Sequence, residues 1–209
     1  MSAATLPVET ATAVSFAQFI AEKPEGQLCE LHQGVLYPMP QPVGQHENVA
    51  SFLIEQLTLV YTQHRLPYRI PKTVLVRSAD GTSAYLPDIL VLNRDRLPQE
   101  PLWEKASTVT QGTTIPLVVE IVSSNWRVDY FTKAKDYEEI GILEYWIVDY
   151  AGLGGRRFIG DDKPPTVSVY HLVEGEYQVA LFRGDDRLVS PTFPELALTA
   201  NQIFRGDGG

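Results

Sequence analysis

A single cysteine, Cys29, is all that 209 residues carry. No internal disulfide can form, which fits a reducing compartment and makes a cytoplasmic location the expectation. Within Leu28-Cys29-Glu30-Leu31 that cysteine reads as a small buried residue, because no motif sets any of the four histidines beside it as a base. Long apolar runs are missing too: none approaches the roughly 20 residues that a bilayer-spanning helix needs. The opening stretch MSAATLPVETATAV lacks a basic n-region and an apolar h-region, so no secretion signal and no membrane association are expected. Basic residues are in deficit, with 17 Lys and Arg against 26 Asp and Glu and a formal net charge of −9. That balance speaks against tight, general nucleic-acid binding, which usually needs a basic excess. It does not exclude a metal-dependent nuclease, whose site acids count as negative until the metal arrives. Binding then needs only a local basic face, for which Arg65, Arg69, Lys72, Arg77, Arg127, Lys133 and Lys135 are candidates. Each is equally an ordinary solvated residue.

What is present is organised around Ile115 to Tyr150. Leu117 to Val122 is apolar and β-branched except for Glu120, the pattern of a strand covered on both faces. An ionised carboxylate there is costly unless paired or metal-bound. A helix is expected from Asp129 to Ile140, with Lys133, Tyr137 and Ile140 at helical spacing and Gly141 as its stop. Glu144 to Asp149 reads as a second strand. Upstream, the expectations are a mobile arm over residues 1–13, a short helix Phe16 to Lys23 capped by Ser15, and a hairpin turning at Gln33-Gly34. A long amphipathic helix follows from about Gly44 to His64, its apolar face carrying Val49, Phe52, Leu53, Leu57, Val60 and Tyr61. Strands are expected over Tyr68 to Arg77 and Ala84 to Leu92, then a polar, irregular stretch from Asn93 to Gly112 with room for one helical turn. After Tyr150 come a glycine-rich loop, a hairpin of Thr166 to Leu172 with Glu176 to Phe182, a short strand at Leu188-Val189 and a helical turn from Thr199 to Phe204. With no repeat, low-complexity tract or dividing linker, one mixed α/β (α+β) domain over residues 1–209 is expected. Its core order is helix, strand, strand, strand, helix, strand around a mixed sheet.

Asp88 and Glu120 are the chemically conspicuous pair, 120 − 88 = 32 residues apart and each in or beside an apolar strand. If those strands are neighbours, the acids converge, and Mg²⁺ is commonly held by one or two carboxylates plus waters. Such a metal activates water and neutralises phosphoryl charge, and a nearby cation would help; Lys133, early in the following helix, is the best placed. The alternative is equally physical: Asp after Pro forms turns, and a strand Glu can simply pair with a basic side chain.

Four motifs in order turn this into a resemblance. Pro87-Asp88, Val119-Glu120-Ile121-Val122-Ser123, Asp129-x-x-x-Lys133-x-x-x-Tyr137 and Gly141-Ile142-Leu143-Glu144-Tyr145-Trp146-Ile147-Val148-Asp149 together resemble the Uma-type restriction endonuclease family. That family is abundant in cyanobacteria and belongs to the PD-(D/E)xK nuclease superfamily. The resemblance runs from about Glu30, including Glu30-Leu31-His32-Gln33-Gly34 and His46, to the C-terminus. It implies a restriction-endonuclease-like core with an N-terminal hairpin and C-terminal β additions. It also implies Mg²⁺, or Mn²⁺, held by Asp88, Glu120 and the backbone carbonyl of Ile121, with Glu30 and His46 as accessory residues. The superfamily's lysine, two residues after the glutamate, is here Val122, which shares the face of Glu120 in a strand. The resemblance makes Lys133 its substitute, with Lys135 as a rival that breaks the spacing. Tyr137, Tyr145 and Trp146 read as core, and Asp149 as a turn former. The expected activity is metal-dependent hydrolysis of DNA phosphodiester bonds, on duplex DNA by a homodimer. The rival from another class is a catalytically inactive binding or scaffold module, favoured by the acidic charge and the missing in-strand lysine.

Overall fold

The computed structural model describes residues 13–207, so all but the last residue of the expected N-terminal arm lies outside them. Two mixed sheets carry the fold. The larger has the order β11-β10-β9-β8-β6-β3 and the smaller β2-β1-β5-β4-β7. In chain order the strands are β1 (Cys29–His32), β2 (Val35–Pro38), β3 (Tyr68–Arg69), β4 (Leu75–Arg77), β5 (Ala84–Tyr85) and β6 (Ile89–Asn93). They continue with β7 (Thr108–Val109), β8 (Leu117–Ile121), β9 (Glu144–Asp149), β10 (Thr166–Val173) and β11 (Glu176–Phe182). The helices are α1 (Phe16–Glu22), α2 (Gly44–Gln63), α3 (Trp103–Ala106), α4 (Ala134–Glu139), α5 (Arg156–Ile159) and α6 (Ala200–Arg205).

The centre of the larger sheet is the parallel pair β8 and β9, in register from Leu117 opposite Glu144 to Ile121 opposite Val148. Alternation along β8 divides the core. Leu117, Val119 and Ile121 face the cluster built on α2 (Val49, Phe52, Leu53, Leu57) together with Trp146 and Val148. Val118 and Val122 face the opposite cluster, with Tyr137, Tyr145 and Ile147. Glu120, between Val118 and Val122 in the sequence, therefore points to the side that α4 covers.

Two expected strands are each divided between the sheets. Tyr68 to Arg77 becomes β3 in the larger sheet and β4 in the smaller, and Ala84 to Leu92 becomes β5 and β6. The second break falls at Leu86-Pro87-Asp88, where proline has no N–H to give a ladder and the Leu86 N–H goes to the Glu30 carboxylate instead (2.9 Å). The stretch before Gly112 is less irregular than its polarity implies, since it holds a 3₁₀ turn Leu97–Gln99, α3 and β7. Leu188-Val189 makes no strand; an isolated bridge joins Arg187 to Thr199. The glycine-rich loop after Tyr150 leads into the short helix α5, which its composition did not announce.

The crossover from β8 to β9 opens with one π-helical turn, Val128–Lys133, that runs straight into α4. It ends at Gly141, whose φ of +80° takes the left-handed conformation of a helix stop while Ile142 N–H reaches back to Tyr137 O (3.0 Å). Ser15 and Gln18 form a capping box at α1, as the serine's position predicts. Because Leu53 is fully buried between α2 and the sheet, Leu53→Ala should cost about 2–5 kcal/mol. Urea denaturation would register this as a lower midpoint with an unchanged m value.

Candidate active site

Each acid of the expected pair is fixed by backbone geometry before its chemistry matters. Asp88 ends the break between β5 and β6, and its Oδ2 accepts the N–H of Ile121 at 2.7 Å. Since β6 and β8 are antiparallel neighbours, with Ile89 opposite Val119, this bond ties Asp88 to the residue that follows Glu120. The two acids are thus brought together across one strand pair. From the other side of the sheet the α2 residue His46 sets its Nε2 3.3 Å from the same Asp88 oxygen. Burial works against a charge on His46, but the Asp88 carboxylate outweighs it and raises the pKa above its ordinary value.

Glu120 is 3 % exposed. Its Oε1 lies 3.0 Å from the Lys133 ammonium and accepts the hydroxyl of Tyr137 at 2.9 Å. Lys133 is 4 % exposed and also meets Glu30 Oε1 at 3.1 Å and Asp129 Oδ1 at 3.8 Å. Glu30 comes from β1 and is itself held by His32 Nε2 at 2.7 Å and by the Leu86 N–H. Lys133 thus ties the crossover turn to β8 and to the first hairpin, about a hundred residues earlier in the chain. The Lys133 ammonium also stands 5.5 Å from the centre of the Tyr85 ring, whose hydroxyl donates to Asp136 at 2.6 Å.

The carboxyls around this ammonium differ in basicity for identifiable reasons. Burial opposes ionisation of Glu30, but Lys133, His32 and the Leu86 amide together bring its pKa down to about 2. Burial drives Glu120 well above the usual carboxylate range; Lys133 opposes this, while the charges of Asp88, Asp129 and Glu30 reinforce it. Asp129 is pushed up to about 7, again by burial first. The carboxylates keep the lysine charged, raising its pKa against the burial that would lower it. Four acids, Asp88, Glu120, Asp129 and Glu30, act on this neighbourhood with one buried lysine among them. Carboxyl groups outnumber cations here, and the raised pKa values of Glu120 and Asp129 reflect burial first and that imbalance second.

That imbalance is what a hard divalent cation would relieve. One oxygen of Asp88 is taken by Ile121 N–H and one of Glu120 by Lys133 and Tyr137, which leaves the second oxygen of each for a ligand. Carboxylate oxygens suit Mg²⁺ or Mn²⁺. Among the described residues no group of three or more His, Cys, Asp or Glu side chains is arranged to hold a metal. A metal held there would therefore take few side-chain ligands from the protein.

Of the residues expected at the site, Asp88, Glu120, Ile121, Lys133, Glu30 and His46 all lie in this one connected network. Lys135 does not: its side chain is exposed and pairs with Glu139 at 3.0 Å. Tyr145 and Trp146 are fully buried, and Asp149 accepts the N–H groups of Leu153 and Gly154 as a turn former would. Two participants escaped the sequence reading, and a third, Asp129, pairs with Lys133 as its spacing predicts but is more buried than a surface pair. Tyr137 is fully buried as expected of core, but its hydroxyl serves Glu120. His32 braces Glu30. Only the Asp129–Lys133–Tyr137 spacing hinted at any of this.

Strand, helix, strand on a mixed sheet, with an acid entering from each of two adjacent strands, defines a restriction-endonuclease-like α+β fold. The family model described as "Putative restriction endonuclease" matches residues 15–201, and the chain belongs to that family, Uma2. A "putative nuclease" from Anabaena variabilis, known from its crystal structure, superposes with a TM-score of 0.70. It shares 20 % identity, over 92 % of this chain and 98 % of the other, and shows the likeness of fold. Among curated proteins, none matches the chain. Along the described chain no helix is long and apolar enough to cross a membrane.

Removing the ammonium would leave Glu30, Glu120 and Asp129 buried and mutually repelling. Lys133→Ala should therefore lose about 3–5 kcal/mol of stability, as breaking a buried ion pair does, again by urea denaturation. A loss under about 1 kcal/mol, the worth of an exposed pair, would show that the cluster is not held by this lysine.

Proposed function

We propose that the protein is a metal-dependent endonuclease that hydrolyses DNA phosphodiester bonds at the Asp88–Glu120–Lys133 cluster. The observation that carries this reading is that Glu120, in β8, and Asp88, immediately before β6, come together beside a buried ammonium in a cluster where carboxyl groups outnumber cations. Family membership supports it. Asp88, Glu120 and the Ile121 carbonyl would hold Mg²⁺ or Mn²⁺. When bound, such an ion polarises a phosphoryl oxygen and lowers the pKa of a coordinated water.

The chain's own residues do the positioning. Ile121 N–H and His46 orient Asp88, Tyr137 and Lys133 orient Glu120, and the apolar packing behind β8 keeps bulk water from its far side. Lys133 supplies fixed positive charge close to where negative charge grows on the phosphoryl group, and a charge already held in place costs no reorganisation. Glu30, braced by His32 and Leu86, stops that ammonium from swinging away. The lysine works from the crossover turn because its in-strand place is taken by Val122, buried among apolar neighbours. Cleavage of both strands of a duplex would call for two copies of the chain.

One observation favours a second reading, a catalytically inactive scaffold: Lys133 is fully engaged by carboxylates, as a structural lock would be. Metal binding separates the two. Calorimetry with Mn²⁺ and Mg²⁺ should give saturable binding to the wild type and none to Glu120→Ala, with circular dichroism confirming that the variant is folded. That variant leaves Lys133 paired with Glu30 and Asp129, so folding should survive. Failure of the wild type to bind either metal, with duplex DNA absent and present, would leave the scaffold reading in possession.

A further inference from the structure

The outer side of the crossover turn carries a second constellation that the site does not use. Trp126, Phe131 and Phe158 form a ring cluster, with centroid separations of 6.2 Å (Trp126–Phe131), 6.3 Å (Trp126–Phe158) and 5.0 Å (Phe131–Phe158). Tyr130 stacks on Phe158 from beneath at 4.6 Å. Two arginines lie over these rings. The Arg127 guanidinium is 4.4 Å from the Trp126 centroid, and that of Arg157 is 4.0 Å from Phe131 and 4.6 Å from Phe158. Arg127, Arg156, Arg157 and Phe131 are exposed. Among the described residues no carboxylate comes within ion-pair distance of any of these three arginines.

Packing reinforces the arrangement. Trp126 lies so close to Gly155 that a Cβ there would stand 2.8 Å from the indole, so the loop before α5 is shaped to receive the ring. The loop after β8 and the loop after β9 are thereby joined at the ends of two parallel neighbours. Arg127 precedes Asp129 by two residues and Phe131 precedes Lys133 by two, and exposure alternates with them: Phe131 is 40 % exposed, Asp129 8 % and Lys133 4 %. One turn thus presents the buried cluster on its inner side and this patch on its outer side.

A guanidinium laid flat on an aromatic face loses little further freedom when it binds, and its edge N–H groups still point outward in a fork that matches phosphate oxygens. On a chain of net charge −9, an unpaired positive patch beside the acidic cluster would be where a polyanion can approach. From this geometry we infer that Arg127 and Arg157, with Arg156 beside them, form a phosphate clamp that seats the DNA backbone next to the Asp88–Glu120–Lys133 cluster. This rests on the nuclease reading for the identity of the polymer. The rings serve to fix the arginines rather than to stack bases, because the guanidinium groups already cover their faces.

The test is sequence-independent, since phosphate contacts dominate binding to non-cognate duplex. Fluorescence anisotropy with a labelled random-sequence duplex, in EDTA so that no cleavage intervenes, gives Kd across a series of KCl concentrations. Each phosphate contact contributes about −0.9 to the slope of log K against log salt. The double variant Arg127→Gln/Arg157→Gln should bind at least about tenfold more weakly at low salt, with a slope shallower by about 2. The charge-matched control Arg94→Gln/Lys105→Gln, on exposed residues elsewhere in the fold, should leave both unchanged. Equal losses in the two double variants, an unaltered slope in the first, or no binding by the wild type would each overturn the clamp. The assay is independent of metal and of turnover. A protein that shows the predicted slope but never cleaves would keep the clamp and lose the nuclease, and one that cleaves with its slope unmoved would do the reverse.

Discussion

An ammonium buried among carboxylates sets the terms for the rest of this fold. Lys133 would not be tolerated at 4 % exposure without Glu120 and Glu30, nor would Glu120 be tolerated in a covered strand without it. Each makes the others possible. The dependence extends outward: Glu30 needs His32 and the Leu86 N–H, Glu120 needs Tyr137, and Asp88 needs Ile121 N–H. Backbone irregularity serves the same end. Breaking the strand at Pro87 frees the Leu86 amide for Glu30 and positions Asp88. The π turn delivers Lys133 inward while leaving Phe131 outside, and such turns are frequent at functional sites.

Much of this was legible in the chain. A lone acid within Leu117 to Val122 is conspicuous because burial makes it expensive, and the 3.6-residue pattern of α2 and the stop at Gly141 follow local rules. The Asp129-x-x-x-Lys133 spacing correctly pairs those two residues, although burial makes their contact part of a network rather than a surface pair. Long-range consequences were not legible. Nothing local says that Tyr68 to Arg77 changes sheet partway, because a sheet is chosen by its neighbours and not by the alternation of its own residues. Tyr137 looks like core because it is core; its hydroxyl acquires meaning only from what lies across from it. The four residues of α5 are too few to stand out from a glycine-rich loop, and with them Arg157 passes unnoticed.

The two faces of the crossover turn divide the electrostatic labour. Inward, carboxyl groups outnumber cations and burial makes every charge strong; outward, arginines sit unpaired on aromatic rings in water. A chain that is acidic as a whole thus carries local fields of both signs within a few residues of each other. Net charge alone, which argued against nucleic-acid binding, averages over that contrast.

The spacing of the buried cluster along the chain has a consequence for synthesis. Glu30, Asp88, Glu120 and Lys133 leave the ribosome in that order, the acids well ahead of the one cation that makes them tolerable together. The turn bearing Lys133 leads into β9, which pairs with β8 and ends at Asp149. No nascent chain ending before Lys133 can assemble the constellation, however much of the N-terminal hairpin and α2 has already formed. Proteolytic fragments obey the same rule: cut anywhere between Glu30 and Lys133, the pieces must reassociate before the acids and the lysine meet again.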